Sequence, residues 1–585
     1  MANLIENAKR EIDSLLQNAC AAAAAAGELP GDAVLHGSVE IPKERSNGDY
    51  AANHAMAGAR ALHLPPRKIA ETRVAHLALE ASSFSSVEIA GPGFLNFRLA
   101  PRWYGEVLSA VEREGMDYGR SEERSGEKVM VEFVSANPTG PMTIGNARGG
   151  VLGDTLATLL DMAGCDVYRE FYVNDAGNQV DKFGRSIDGR YRELLSWDGD
   201  YDSYMTAWRA LRDKEHPEDF PDFPDDAYHG VDIIELTKEL IDRDGDKYLA
   251  MTEEERRAAF IAYGLPKNID LMHQHLDRYG IHFDNWFLES SLHESGYVKE
   301  TVDLLTAHGH TYEKDGAVWL RNTAFGAEKD EVLRRSNGFY TYYAVDIAYH
   351  RNKFIERHFD RVIDVWGADH HGHAIRFGKT MTAPELGLEG RKLDFLIMQM
   401  VRLTRNGETV KVSKRSGKAL TLNDLLDEIG VDACRFFFNA KPDTHLEFDL
   451  DLAIRQDSEN PVYYCQYAHA RICSLLAAMA AEGCAVPPVA DIDAALLSTE
   501  QEIELIRQLS ALPEEVRLAA RDYDPSRINR YVIELAARFH KFYNACRIRE
   551  AEEAVKKARL ALCAAVRTAL AVSLKIIGVA APEKM

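Results

Sequence analysis

A chain of 585 residues is longer than the roughly 250–300 residues at which single hydrophobic cores stop growing, so several domains are expected. Its 46% hydrophobic and 28% charged residues exclude a disordered or membrane-embedded composition. A net charge of −23 argues against non-specific nucleic-acid binding by the chain as a whole, while leaving room for a local basic track. Eight scattered cysteines, with no C-x-x-C pair and no Cys/His cluster at zinc spacing, read as free thiols in a reducing compartment, and no structural metal is expected. The opening MANLIENAKREIDSLLQ reads as an amphipathic helix rather than a signal peptide, and the alanine run at 21–26 is too short to cross a bilayer. A cytoplasmic chain with no membrane partner is the expectation.

Residues 1–115 read as a separate α+β domain. A leading helix ends at Gly27 and Pro30, a second is expected from Gly48 to Leu62, and SVEIAGPGFLNFRL (86–99) alternates like a strand interrupted by Gly-Pro-Gly. Residues 116–447 follow, and the chain is organised around positions 129–154. There Val129, Val131 and Phe133 make a β-rich run, Asn137 to Gly140 break it, and Gly145 opens a helix. Such an elbow sets backbone N–H groups and the positive end of a helix dipole at the carboxyl edge of a strand, where phosphates bind. Gly149, Gly150 and Gly153 would let that helix approach the sheet closely, and 167–173 forms a second strand ending in NDAGNQ. Strand, helix and strand of this length make a βαβ unit, hence a parallel, Rossmann-like, doubly wound α/β sheet.

Residues 197–263 turn acidic and Pro-rich, with helices at 233–247 and 253–262; they read as a peripheral insertion with a solvated, charged face. The sheet is expected to resume with GAVWLRNTAFG (316–326) and RVIDVWGADHHGH (361–373). In the latter Val362, Ile363, Val365 and Trp366 read as a buried strand with Gly367, Asp369 and His370 at its carboxyl end. His370, His371 and His373 have no carboxylate-rich or His-x-x-x-His arrangement beside them, so no metal is assigned to them. GETVKVSKRSGKALTL (407–422) holds Lys411, Ser413 and Lys414; taken alone, two such lysines are a solvated charge pair. Residues 448–585 are helical by periodicity, with an Asn-Pro start signal at 460. Arg538, Lys541, Arg547, Arg549, Lys556, Lys557, Arg559, Arg567 and Lys575 are interleaved there with Tyr531, Phe539, Phe542 and Tyr543. Most of those aromatics should be core, but cations for phosphates beside aromatics for unstacked bases are what a single-stranded RNA loop requires.

The elbow tetrapeptide Thr143-Ile144-Gly145-Asn146 and the loop Lys411-Val412-Ser413-Lys414, about 270 residues apart, resemble the two signatures of class I aminoacyl-tRNA synthetases, His-Ile-Gly-His and Lys-Met-Ser-Lys. VEFVSANPTGP, GDYAANHAM, AGPGFLNFRLA, YYCQYAHARI, ARFHKFYNACRI and the terminal GVAAPEKM are similar to arginyl-tRNA synthetases over essentially the whole chain. The resemblance implies an N-terminal tRNA-elbow domain (1–115), a catalytic Rossmann domain (116–447) and a helical anticodon-binding domain (448–585). It implies ATP-dependent activation of arginine, with Mg²⁺, then transfer to the 3′-terminal adenosine of tRNA(Arg), by a monomer. By position in the motifs, Thr143, Gly145, Asn146, Lys411, Ser413 and Lys414 would serve catalysis. Thr143, Asn146, Gly367, Asp369, His370, Lys411 and Lys414 would hold ATP. Glu132, Asn137, Tyr342 and Asp346 would take arginine, the last two lying four apart on one expected helical face. Phe94, Asn96, Tyr543 and Asn544 would meet tRNA bases.

The chain departs from the pattern at the elbow, where both histidines are absent. A hydroxyl and an amide retain hydrogen bonding but lose charge assistance worth about 1 kcal/mol per bond. A catalytically weak tRNA-binding paralogue is the alternative that this departure raises, and a class I enzyme for another amino acid is a further one. Two acids at the amino-acid positions and the lack of cysteine zinc ligands count against the latter.

Overall fold

The computed structural model describes residues 3–30, 36–212, 218–410, 420–441 and 444–585. Lys411, Ser413 and Lys414 lie outside the described residues. Two compact units emerge, one made of 124–161 with 165–454, the other of 1–123, 162–164 and 455–585.

The first of these units holds a five-stranded, all-parallel sheet built from β1 (Lys128–Glu132), β2 (Asp166–Val173), β3 (Asn285–Leu288), β4 (Arg361–Gly367) and β5 (Lys392–Met398). The spatial order is β3-β2-β1-β4-β5. Parallel strands are buried on both faces, which is why β1 and β4 are mainly apolar; Val129, Met130, Val131, Val362 and Ile363 are fully buried, and so is Asp364 beside them in β4. The order reverses between β1 and β4, so their carboxyl ends flank a topological switch point, the place where open α/β sheets bind ligands. Helix α1 (Ile144–Met162) follows β1, and α2 (Tyr342–Arg351) and α3 (His371–Thr380) stand on either side of β4 in sequence. The glycines of α1 act as expected: a Cβ at Gly153 would lie 2.2 Å from the Phe133 ring, and at Gly150 2.8 Å from Ile281.

Two expectations for this unit need correction. Ala317–Leu320 does not rejoin the parallel sheet; it is the middle strand of a separate antiparallel sheet with Thr311–Lys314 and Glu331–Arg334. Local alternation could not reveal which partners it would find. The acidic insertion is more than a solvated face. Its helices Val231–Asp244 and Glu253–Arg278 pack with Asn178–Ser196 around Phe183, Ile187, Tyr191, Ile233, Leu240 and Phe260. Arg190, fully buried among them, is held by Asp219 and Glu193.

In the other unit an antiparallel sheet has the order Val39–Glu40, Tyr50–Ala52, Phe94–Leu99, Phe84–Ala90. The stretch expected as one strand interrupted by Gly-Pro-Gly is instead a hairpin, Phe84–Ala90 pairing antiparallel with Phe94–Leu99. Tyr50–Ala52 is a strand, not the start of a helix, because its backbone pairs with Leu95, Asn96 and Phe97; the helix begins at His54. Pro461–Ala481, Glu500–Asp522, Ser526–Ala545 and Glu553–Ile576 form the C-terminal helices, the first capped by Asn460 as its Asn-Pro signal suggested. No helix among the described residues is long and apolar enough to cross a membrane.

Candidate active site

Directly after β1 the chain makes an abrupt turn. Val134 (φ 68°) and Ser135 (φ 39°) both lie in the left-handed region, a conformation that costs a non-glycine residue about 1–3 kcal/mol and is concentrated at functional sites. The turn is braced from two sides: Ser135 Oγ donates to Glu132 Oε1 at 2.9 Å and accepts from Tyr172 N at 3.2 Å. Beyond it Thr143 and Asn146 cap α1 reciprocally. Asn146 N donates to Thr143 Oγ1 (3.3 Å), while Thr143 N and Oγ1 both donate to Asn146 Oδ1 (2.9 and 2.8 Å). The amide nitrogen of Asn146 is not used by this cap. Thr143 also bridges to Thr421, and Leu422 N donates to Met142 O at 2.9 Å, so the segment resuming at Leu420 is tied to the elbow.

The elbow forms one wall of a cleft of about 2010 Å³. Glu132, Asn137, Thr143, Gly145 and Asn146 line it from the β1 side. Gly367, Asp369 and His370 line it from the end of β4; a Cβ at Gly367 would fall 2.5 Å from Asp369 Oδ1, the mobile tip of an exposed side chain. Tyr342 and Asp346 share the helix α2 as expected and also line the cleft. Tyr342 is 68% exposed, whereas Asp346 Oδ2 is 3.0 Å from His373 Nε2. His373 is thus a carboxylate partner, and among the described residues no group of His, Cys, Asp and Glu is arranged for a metal.

Sequence reasoning missed several lining residues. Tyr172 and Glu289, at the ends of β2 and β3, meet in the cleft, Tyr172 OH donating to Glu289 Oε2 at 2.9 Å. Burial, reinforced by Glu289, Asp346 and Glu132, pushes the Tyr172 hydroxyl well above its ordinary range, so it stays a donor. Their placement at strand ends was the available signal. Tyr228, His229 and Asp232 bring the acidic insertion into the wall, which its charge pattern did not suggest.

The residues assigned to tRNA lie in the other unit. Phe94 is half-buried on its strand, and Asn96 beside it is 6% exposed, leaving little of its amide open to a base. Asn544 is exposed, and Tyr543 is half-buried with the Arg471 guanidinium 4.1 Å above its ring. The stacked Tyr463 and Tyr467 and the ring of His540 continue this surface. Tyr531, Phe539 and Phe542 are core, as expected. Several of the cations pair with acids: Arg538 with Glu504 and Glu534, Arg549 with Glu482, Arg559 with Glu502.

The parallel sheet with a strained strand-to-helix elbow at its switch point lies within the stretch that matches the catalytic domain of class I tRNA synthetases. Three family models cover the chain: the arginyl tRNA synthetase N-terminal domain matches 10–99, the catalytic domain of class I (R) tRNA synthetases 108–216 and 267–450, and the DALR anticodon-binding domain 465–585. Arginine–tRNA ligases of Acetivibrio thermocellus and Caldanaerobacter subterraneus are 48% and 49% identical, each over all of both chains. A Campylobacter jejuni structure described as an arginyl-tRNA synthetase superposes with a TM-score of 0.72 at 33% identity, covering 83% of this chain and all of that one. The Thermus thermophilus arginyl-tRNA synthetase shares the fold (TM-score 0.68, 22% identity, 98% and 100% covered). The chain belongs to the arginyl-tRNA synthetase family. The catalytic match skips 217–266, which nearly coincides with the latter part of the insertion.

Proposed function

We propose that the cleft joins L-arginine to ATP as arginyl-adenylate and passes the arginyl group to the 3′-terminal adenosine of tRNA(Arg). The observation carrying this reading is that, of the residues expected for ATP and for arginine, all those among the described residues line one cleft at the switch point. Attack of the arginine carboxylate on the α-phosphate builds negative charge on phosphate oxygens, so positioned donors and cations do most of the catalytic work. The N-terminus of α1, the amide donors of Asn146 and the lysines Lys411 and Lys414 supply them, while Gly367, Asp369 and His370 take the adenosine. Mg²⁺ would arrive with ATP and neutralise phosphate charge.

Arginine is a cation at both ends. Glu132 and Asn137, beside the elbow where the carboxylate reacts, suit its ammonium; Asp346 and Tyr342, with Glu289 and Tyr172, suit the planar guanidinium, for which paired carboxylate oxygens are the matching acceptor. For RNA we assign Tyr543 and Asn544 to the anticodon loop and Phe94, ahead of Asn96, to the tRNA elbow. The domain limits 1–115, 116–447 and 448–585, a monomeric state and a cytoplasmic site complete the reading; eight free cysteines support the reducing compartment. Charging assays with purified tRNA(Arg) test it. Attachment of arginine, and not of lysine or citrulline, is expected; a folded protein that binds tRNA(Arg) but charges it with nothing would contradict the reading.

A further inference from the structure

Three carboxylates stand side by side across the centre of the parallel sheet. Glu170 of β2 is the register partner of Glu132 of β1, which is in turn the partner of Asp364 of β4. Directly opposed residues of paired strands point to the same face, and all three are buried, at 0%, 6% and 0% exposure. Acids this close share protons unless cations intervene. A single segment supplies the partners: α2 and the π-helical turn Asn352–Glu356 that continues it. Tyr349 OH donates to Glu170 Oε1 (2.5 Å), and Arg357 donates to both Glu170 oxygens (2.8 and 2.5 Å). His350 Nε2 lies 2.7 Å from Asp364 Oδ2. Lys353, fully buried, bridges the remaining gap, its Nζ 2.5 Å from Glu132 Oε2 and 3.0 Å from Asp364 Oδ1.

Of the three acids Glu132 is the one that lines the cleft, and its Oε1 braces the strained Ser135. We infer that Lys353 is a positioning residue for arginine binding: from its buried turn it keeps Glu132 ionised and aimed, so that the cleft meets the substrate's positive charge with a carboxylate rather than a neutral acid. This rests on the arginine-activating function proposed above. A carboxylate has about four acceptor sites, so the bonds from Lys353 and Ser135 leave Glu132 able to accept from a substrate ammonium.

The surrounding charges are consistent with that role. Burial would lower the Lys353 ammonium, but Asp364 and Glu132 outweigh it and hold it raised, hence charged. Burial and Asp364 push the Glu132 carboxyl up, and Lys353, with His350, opposes them. The other groups facing this pair are Tyr349 on α2 and Glu170 and Tyr172 on β2, with Arg357 on Glu170. Without Lys353, Glu132 is left facing two like charges.

The test is arginine-dependent ATP–pyrophosphate exchange by the full-length protein with tRNA(Arg), across pH, for wild type, Lys353→Met and Lys353→Met/Asp364→Asn. Lys353→Met is expected to raise the KM for arginine about tenfold or more at neutral pH, leave the KM for ATP within about twofold, and shift the acid limb of kcat/KM for arginine to higher pH. Removing the opposing charge with Asp364→Asn should recover part of the arginine KM and move the limb back. If Lys353→Met does not fold, the doubly neutralised variant carries the comparison with Asp364→Asn alone. An unchanged arginine KM and acid limb overturns the inference, as does a parallel loss of arginine and ATP affinity with no shift of the limb, which marks mere structural support. A wild type without exchange overturns the arginine reading itself.

Discussion

Thr143 and Asn146 replace two imidazoles with a reciprocal helix cap. Because Asn146 Oδ1 receives both Thr143 donors, its amide group is held in one orientation, and its own N–H donors take no part in the cap. Thr143→Ala should therefore cost about 1 kcal/mol of stability through the lost cap and lower kcat for arginine activation by roughly tenfold through the released amide, while Thr143→Ser keeps both. Urea unfolding and exchange kinetics on the same preparations separate the two effects. Asp346 carries the guanidinium reading. Asp346→Asn should raise the arginine KM by about 10- to 100-fold, the worth of a charge-assisted bond, and leave the ATP KM nearly unchanged. At this scale Thr143 and Asn146 were legible as hydrogen-bonding groups of the elbow, but not as a reciprocal cap. The left-handed backbone at Val134 and Ser135 was not legible, since valine disfavours it and only the surrounding contacts impose it.

Among the elements, α1 depends on contact with the sheet at a distance only glycine allows. Gly153→Ala would drive a methyl into the Phe133 ring at the start of the elbow and should destabilise the sheet-containing unit by about 1–3 kcal/mol, read as a lower denaturation midpoint with an unchanged m-value. β1, β4 and the C-terminal helices could be read from the sequence because their apolar runs and caps are local signals. Tyr50–Ala52, Ala317–Leu320 and the π-helical turn at Asn352 could not, since tertiary partners decide them. Glu289 had a local signal in its strand-end position, but its pairing with Tyr172, 117 positions away, had none.

On the scale of the molecule, the terminal segments expected as separate domains fall into one compact unit. Arg507 joins Asp49 and Glu504, and Glu504 also takes Arg45 and Arg538, so charges more than 450 positions apart form one network that no local pattern announces. The sheet-containing unit should be acid-sensitive in a defined window. Bonds from Arg124 and Arg361 hold Glu127 at about 2, and Lys353 with His350 holds Asp364 at about 2 against its burial. Both values lie below those of the unfolded chain, so their stabilisation is present above pH 4.5 and is lost as pH falls towards 2. Acid titration of the unfolding midpoint should show this loss, and Asp364→Asn should flatten it.

The central claim, that this cleft activates arginine, is tested most directly by arginine-dependent ATP–pyrophosphate exchange with purified protein, with and without tRNA(Arg), beside the Thr143→His variant. Exchange in the natural protein that requires arginine, and that is not increased when the histidine is installed, is the expected result, because the Thr143–Asn146 cap already serves the elbow. No exchange in a folded, tRNA-binding natural protein, with exchange appearing in Thr143→His, would contradict it and place the defect at the elbow.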